Sequence, residues 1–203
     1  MVLAKIQRRL ARYLRRSWMK YALRGTGRED NHARLDVAYK VRDPWNMESP
    51  LERGRFEATN AQVEKIFGRV GSLLEIGCGE GHQSEYLARL ADRLHGLDVS
   101  ATAVERARER VPGAEFAAAD IHAHPWGERR FDLVTACEVL YYMKDVRAAI
   151  DRMSAIGKAC FVTCYSPTLQ TLAAEFDRIP GLQRDWIFHG STVWLVAWWR
   201  NDD

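Results

Sequence analysis

The sequence lacks long apolar runs and paired cysteines. The apolar run near its end, Val193 to Trp199, spans seven residues and is too short to cross a bilayer. The four cysteines form no C-x-x-C pair. The sequence also lacks the pattern of a secretory leader, in which a charged segment is followed by an apolar segment and a cleavage site. We therefore expect free thiols in a reducing cytoplasm.

Motifs that bind phosphate or metal are also missing. The sequence has no G-x-x-x-x-G-K-[ST] loop, and its glycine-rich stretch does not have the G-x-G-x-x-G spacing of dinucleotide sites. His122 and His124 lie two residues apart, but no nearby pair of acids completes a ligand set. We therefore expect no metal ion.

Acidic residues are absent from residues 1–28, which hold nine Lys or Arg. The rest of the chain has 21 of the 30 basic residues and all 27 acids, so a basic arm precedes an acidic body. Leu3, Ile6, Leu10 and Trp18 belong to an apolar pattern typical of an amphipathic helix. We favour packing on the body or on a second subunit. Membrane-surface contact through residues 1–24, nucleic-acid contact and an organelle presequence stay open.

A strand, a glycine turn and a helix are predicted in the middle of the chain. The run Leu73-Leu74-Glu75-Ile76-Gly77-Cys78-Gly79-Glu80-Gly81 reads as a short buried strand and turn, and a helix is expected from His82 to Arg93. Gly77 and Gly79 lack a Cβ, so the backbone can turn sharply and approach a ligand closely. The Glu75 carboxylate favours a cationic or hydroxyl-rich ligand and would repel a phosphate.

Three further predicted strands each carry an acid near the end. They are Leu94–Ser100 with Asp98, Ala114–Ile121 with Asp120, and Phe131–Leu140 with Glu138. An acid at the end of the second strand is placed to hold two ribose hydroxyls. Helices and strands then alternate: we expect a helix over 50–67 and another over 100–110. Later elements are a helix over 145–155, a strand over 158–165, a helix over 166–178 and a final antiparallel pair.

These motifs, over about residues 60–165, resemble the class I S-adenosylmethionine-dependent methyltransferases. The resemblance implies an α/β, Rossmann-like sheet of seven mostly parallel strands, in the order 3-2-1-4-5-7-6, with helices on both faces. It divides the chain into a basic N-terminal helix (1–28) and one methyltransferase domain (29–203). It also implies S-adenosyl-L-methionine as cofactor and S-adenosyl-L-homocysteine as product. The implied cofactor-binding residues are Trp45, Glu75, Gly77, Cys78, Gly79, Gly81, Asp98, Val99, Asp120, Ile121 and Glu138.

A narrower resemblance, to NodS-like methyltransferases, rests on Asp43-Pro44-Trp45, Ser49-Pro50-Leu51-Glu52-Arg53, Arg55-Phe56 and Glu138-Val139-Leu140-Tyr141-Tyr142. It implies N-methylation of the free amino group of a deacetylated amino sugar. The basic N-terminus and the short, Trp-rich end depart from that pattern and leave the acceptor open.

For catalysis we expect Glu138 and Tyr142, with Tyr141, Tyr142 and Phe56 contacting the acceptor. His122 and His189 are further candidates for the base. Trp45 and Phe56 are either core residues or a cover over the cofactor, since an aromatic face attracts a sulfonium.

Alternative functions are O-methylation of a small metabolite and a non-catalytic module that binds a membrane or protein partner through the arm. A DNA methyltransferase is disfavoured because Cys137-Glu138-Val139-Leu140 replaces [DNS]-P-P-[YFW] and no Pro-Cys occurs. A small-molecule or oligosaccharide acceptor is therefore favoured over nucleic acid.

Overall fold

The computed structural model describes residues 10, 13–15, 17–24, 32–127 and 129–201. A seven-stranded sheet forms the centre of the molecule, in the order β3-β2-β1-β4-β5-β7-β6. Strand β7 pairs antiparallel with β5 and β6, and the other pairings are parallel. This confirms the predicted strand order. The strands are β1 (Val70–Ile76), β2 (Ala91–Asp98), β3 (Glu115–Ala118), β4 (Leu133–Cys137), β5 (Ala159–Tyr165), β6 (Gln183–His189) and β7 (Thr192–Arg200).

Helices cover both faces of the sheet. They are α1 (His32–Ala38), α2 (Pro50–Phe67), α3 (Ser84–Leu87), α4 (Ala101–Arg110), α5 (Val146–Ile156) and α6 (Ala173–Phe176). One apolar cluster joins the sheet to α5 and α6, through Ile150 and Phe176 among others. A second joins the opposite face to α2 and α3, through Val63 and Leu87. Both faces are therefore buried, as a mainly parallel sheet requires.

The start of α2 follows from local sequence. Ser49 precedes the helix and its hydroxyl accepts the Glu52 amide at 3.3 Å, while Pro50 occupies the first helical position. Proline is favoured there because its missing N–H would have no intrahelical partner. The predicted helix over 50–67 is confirmed.

Two predicted helices are wrong in extent. The run expected to be helical to Arg93 ends as a 3-10 turn at Leu90, because β2 begins at Ala91, where it pairs with the start of β1. The helix expected over 166–178 is a 3-10 segment followed by the short α6. In the 3-10 segment the Thr168 hydroxyl donates to the Tyr165 carbonyl at 2.7 Å. Such side-chain bonds compete with the backbone pattern of an α-helix.

The described part of the basic arm is helical at residues 10, 13–15 and 17–22 and touches the body at one end. The Trp18 indole donates to the Ala38 carbonyl at 3.1 Å, and Ala22 is buried. Tyr13 and Leu14 are exposed. The predicted positions Leu3 and Ile6 lie outside the described residues, so the role of the whole arm stays a prediction. No helix of the described residues has the length and apolar character that a membrane crossing requires.

Candidate active site

A cavity of about 460 Å³ opens where β1, β2 and β4 end. Chain connectivity reverses direction between β1 and β4, which leaves a crevice at their carboxyl ends. The volume lies in the range of roughly 300–1,000 Å³ that suits a small-molecule ligand. The sheet topology therefore places the predicted site residues around one space.

The glycine turn after β1 forms the floor of the cavity. Gly77 has φ +72°, and a Cβ there would lie 2.5 Å from the Val139 side chain. Gly79 has φ +52°, and a Cβ there would lie 2.7 Å from the Tyr39 hydroxyl. Both positions therefore exclude a side chain, and the backbone itself faces the cavity. Gly81 does not line the cavity, because it packs against Ala107 of α4.

Cys78, between these glycines, lines the same cavity, and its amide donates to the Leu97 carbonyl at 2.8 Å. This bond ties the turn to β2. Burial raises the pKa of the Cys78 thiol well above its ordinary value, so the thiol stays protonated. All four cysteines are free, as expected.

Asp98 ends β2 with its carboxylate at the cavity wall. Its two oxygens accept the Gly79 amide and the Ser100 amide, each at 2.9 Å. These bonds fix the carboxylate in place, and each of its oxygens can accept more than one hydrogen bond. Val99 lines the cavity beside Asp98. Such a fixed acid suits a pair of hydroxyl donors.

Asp120 and Ile121 line the cavity beyond β3. The Asp120 carboxylate accepts the His122 amide at 2.8 Å, which caps the turn that follows. Ile121 is buried and packs into the main core. His122 also lines the cavity, whereas His189 does not: its ring packs against Gly54 of α2.

Glu75 is buried within β1 and also lines the cavity. Its carboxyl accepts the Ser84 hydroxyl. Burial raises the pKa of Glu75 to about 8, although the Ser84 bond and the nearby Arg55 guanidinium oppose the shift. The side chain is therefore largely protonated near neutral pH, contrary to the carboxylate assumed from the sequence.

Glu138 follows β4 and is held in a left-handed conformation, with φ +61°. Its Oε2 accepts the Tyr141 hydroxyl and the Tyr165 amide, each at 3.0 Å. Its Oε1 is buried and has no hydrogen-bond partner among the described residues. Burial raises the pKa of Glu138 above its ordinary value, while the Thr163, Tyr141 and Tyr165 contacts and the nearby Arg55 charge pull it down. Glu138 thus lines the cavity and has one buried carboxylate oxygen that accepts no hydrogen bond from the described residues.

Aromatic side chains cover this end of the cavity. The Tyr141 and Tyr142 rings lie 4.7 Å apart, and the Trp45 indole donates to the Tyr142 hydroxyl at 3.2 Å. The Trp45 ring also packs on Tyr39 at 4.9 Å. Phe56 is fully buried and contributes to the wall. The segment before α2 therefore contributes Trp45 to the cavity lining, and contact of this ring with a cofactor stays a prediction.

Several residues that line the cavity were not predicted as site residues from the sequence, and Tyr39 and Arg55 are two of them. Tyr39 follows α1 and has no local motif that marks it. Arg55 belongs to the Arg55-Phe56 motif, which does not by itself indicate a role for the guanidinium group in the site. It is 3% exposed, donates to Glu52 at 2.7 Å and lines the cavity. Burial of an arginine beside Glu75 and Glu138 makes it the principal positive charge near those two acids.

Comparisons with known proteins agree with this geometry. A family described as a methyltransferase domain matches residues 74–159. Nodulation protein S from Bradyrhizobium diazoefficiens is 36% identical over 122 residues, which cover 58% of this chain and 57% of that protein. A malonyl-[acyl-carrier protein] O-methyltransferase from Pseudescherichia vulneris is 29% identical over 115 residues, covering 55% of this chain and 46% of that protein. The chain thus aligns with about half the length of these curated relatives.

A solved structure gives a fuller match. The N-methyltransferase NodS from Bradyrhizobium japonicum WM9, in complex with S-adenosyl-L-homocysteine, superposes with a TM-score of 0.71 and 27% sequence identity. The match covers 86% of this chain and 100% of that chain. The similarity therefore extends beyond the aligned sequence to the segments on either side of it.

Proposed function

We propose that this chain, a member of the class I S-adenosylmethionine-dependent methyltransferases with NodS-like features, N-methylates the primary amine of an amino sugar. The observation that carries the proposal is the placement of Asp98 and Glu138 on the same cavity. Asp98 provides a fixed acceptor for a ribose, and Glu138 provides a carboxylate on the cavity wall whose Oε1 accepts no hydrogen bond from the described residues.

The cavity fits S-adenosyl-L-methionine, the cofactor of this family. Val139 and Tyr39 leave no space for a Cβ at Gly77 and Gly79, so the bare backbone of the turn faces the cavity and the methionine part would lie against it. Asp98 would hold the ribose hydroxyls, and Asp120 and Ile121 would flank the adenine. The bound cofactor supplies a methyl group activated by its attachment to a sulfonium sulfur. The Trp45 ring, on the cavity wall, presents an aromatic face that attracts such a cation.

The remaining work of the protein is to place the acceptor and remove a proton. An amine attacks only when it is neutral, so a base must accept its proton. Glu138 is suited to this role because Oε1 has no other partner among the described residues and because burial raises its pKa. Tyr141 holds the second oxygen of that carboxylate. Tyr142 is fixed by Trp45 and offers a flat face to a sugar ring.

Exclusion of water and alignment supply the rest of the rate enhancement. Alignment of two reactants can contribute about 7–11 kcal/mol to lowering the barrier. Tyr39, Trp45 and Tyr142 form a continuous aromatic cover, with the contacts described above. Such a cover holds the acceptor near the methyl group and keeps bulk water away from it.

To test this proposal, the enzyme is incubated with methyl-labelled cofactor and either chitosan oligomers or fully N-acetylated oligomers of the same length. Mass spectrometry then locates the label. We expect methyl groups on nitrogen in the deacetylated oligomer and none in the acetylated oligomer, and weaker transfer by Asp98→Ala at the same cofactor concentration. Label found on oxygen in both oligomers would overturn the amine assignment and favour the O-methylation alternative.

A further inference from the structure

Three potential metal ligands converge beside the cofactor turn. Asp43 belongs to the segment between α1 and α2, while Glu80 and His82 follow the glycine turn. One carboxylate oxygen of Asp43, one of Glu80 and one ring nitrogen of His82 all lie within 4.8 Å of one another. Asp43 precedes Glu80 by 37 residues, so no local spacing indicates that the three residues share a site.

The two carboxylates are held in position by other groups. The Asp43 amide donates to Glu80 Oε2 at 2.9 Å, and the Asp43 carboxylate accepts the Met47 amide at 2.5 Å. Arg106 donates to Glu80 Oε1 at 2.5 Å. Metal-binding carboxylates are commonly oriented by such outer hydrogen bonds. Among the described residues no Lys or Arg lies within 4.0 Å of the Asp43 carboxylate, and the Arg15 charge acts on it from farther away. A bound cation would add a positive charge in direct contact with this carboxylate.

His82 provides an independent sign that a ligand is expected. The residue is 7% exposed, and its Nε2 is buried without a hydrogen-bond partner among the described residues. The nearest acid to that atom, Glu48 Oε1, lies 3.8 Å away, which is too far for a hydrogen bond. A buried polar atom of this kind is uncommon and calls for an explanation, such as an ion.

We propose that Asp43, Glu80 and His82 bind a divalent transition-metal cation, with Glu48 close enough to act as a further ligand. One imidazole and two or three carboxylates suit Zn²⁺ or Mn²⁺ better than a purely oxygen-bound ion. A polar hollow of about 390 Å³ provides room for bound water, and it is lined by five acids, Asp43, Glu48 and Glu80 among them, and by three arginines.

The ion would act as a structural clamp. Asp43 is two residues from Trp45, which lies over the cavity, whereas Glu80 and His82 extend the turn that forms its floor. One cation bound to both sides would hold the cover against the turn. The site is distinct from the reacting end of the cavity, where Glu138 lies, so the ion has no part in the methyl transfer itself.

The proposal is tested with the full, tag-free chain after chelation, in the absence of cofactor and acceptor. Calorimetry with ZnCl₂ and with MnCl₂ should show one ion per chain. Asp43→Asn and His82→Gln should each weaken that binding at least about tenfold, since each removes a ligand. Asn tolerates the left-handed backbone found at Asp43, where φ is +47°, so the first variant should fold. His189→Gln and Asp92→Asn are matched controls outside the cluster and should bind as the wild type does.

A second measurement needs no variant. In wild-type protein, paramagnetic Mn²⁺ should broaden the NMR signals of His82 before those of the other five histidines. No stoichiometric uptake of either ion would overturn the proposal, as would uptake that Asp43→Asn and His82→Gln leave unchanged. Broadening that begins at another histidine would overturn it too. Because no cofactor is present, none of these outcomes depends on the proposed methyl transfer.

Discussion

Glu138 is the residue on which the proposed chemistry depends most. Its backbone is left-handed, and its Oε2 is held by Tyr141 and the Tyr165 amide, while the buried Oε1 accepts no hydrogen bond from the described residues. A non-glycine residue rarely adopts this conformation, and such strain is concentrated at functional sites. The arrangement fits a group that must accept a proton in one fixed direction.

Replacement of this carboxylate gives the first prediction. Glu138→Gln keeps the size of the side chain but removes the base, so kcat for an amine acceptor should fall by about 10²–10⁴. In the wild type, the rate should rise as the Glu138 carboxyl deprotonates, at a pH above the ordinary carboxyl range. The variant should lose that rise. Steady-state kinetics over a pH series, with circular dichroism to verify folding, measure both effects.

Tyr141→Phe is the matched control for this pH effect. The Tyr141 hydroxyl donates to the ionised form of Glu138 and lowers its pKa. Without that donor the rise in rate should move to higher pH while catalysis persists. An unchanged kcat and an unchanged pH profile in Glu138→Gln would exclude Glu138 as the base.

Glu75 yields a prediction about stability instead of rate. The pKa of its carboxyl rises from 4.5 to about 8 on folding, so between those values the folded protein holds a proton that the unfolded chain releases. The free energy of unfolding therefore falls as pH rises through this window, by up to about 1.4 kcal/mol per pH unit. Glu75→Gln removes this loss and keeps an oxygen that can accept the Ser84 hydroxyl.

Chemical denaturation at several pH values provides the measurement. The stability of Glu75→Gln relative to wild type should increase steadily from about pH 5 to about pH 8. Glu57→Gln, at an exposed position on α2, is the control for the substitution. A difference between Glu75→Gln and wild type that does not change with pH would contradict the account of the buried carboxyl.

The extent to which individual residues were predictable depended on their place in the chain. Asp98, Asp120 and Glu138 follow strands, and the ends of parallel strands meet at one edge of a sheet. Arg55 and His82 reach their neighbours only through the packing of α2 and of the segment before it. That packing has no local sequence pattern, so their positions had to come from the structure.

At the scale of elements, the packing of α4 on the glycine turn can be tested directly. Gly81 has φ +80°, and a Cβ there would lie 3.0 Å from the Ala107 Cα, which belongs to the backbone of α4. Gly181 also has a positive φ, +67°, but nothing lies within 4 Å of its added Cβ. Both Gly→Ala changes place alanine in the left-handed region, which costs about 1–2 kcal/mol of folding free energy.

Only Gly81→Ala also forces the turn away from α4. Overpacking of this kind costs about 1–3 kcal/mol, so Gly81→Ala should lower the free energy of unfolding by at least about 1 kcal/mol more than Gly181→Ala does. Urea denaturation measures both. Equal losses in the two variants would show that Gly81 matters for its conformation alone, without a close contact to α4.

Elements with strong local determinants were predictable, and short ones were not. The cap residue, the proline and the length of α2 can all be predicted from the sequence, and the helix forms as expected. The α3 and α6 helices have four residues each and are bounded by strands and 3-10 turns. Their extents depend on where β2 starts and on side-chain bonds to the backbone, which periodicity does not reveal.

For the whole molecule, the alternation of strands and helices predicted a parallel sheet, and the family resemblance added the antiparallel strand β7. Both are confirmed. The division of charge between a basic arm and an acidic body is also a property of the whole chain. The Trp18 contact supports packing of one end of the arm on the body. Contact of the arm with a membrane or a second subunit stays a prediction.

Calorimetric titration can show whether the cavity at the ends of β1, β2 and β4 holds S-adenosyl-L-methionine. The wild type should bind S-adenosyl-L-methionine and S-adenosyl-L-homocysteine with micromolar dissociation constants, which correspond to a binding free energy of about −8 kcal/mol. Asp98→Ala should lose about 1.5–3 kcal/mol of that affinity, since it removes hydrogen bonds to a charged group. ATP should not bind, because acids line the turn where its phosphates would lie. Folded wild-type protein that binds neither nucleoside, or binds ATP equally well, would contradict the account.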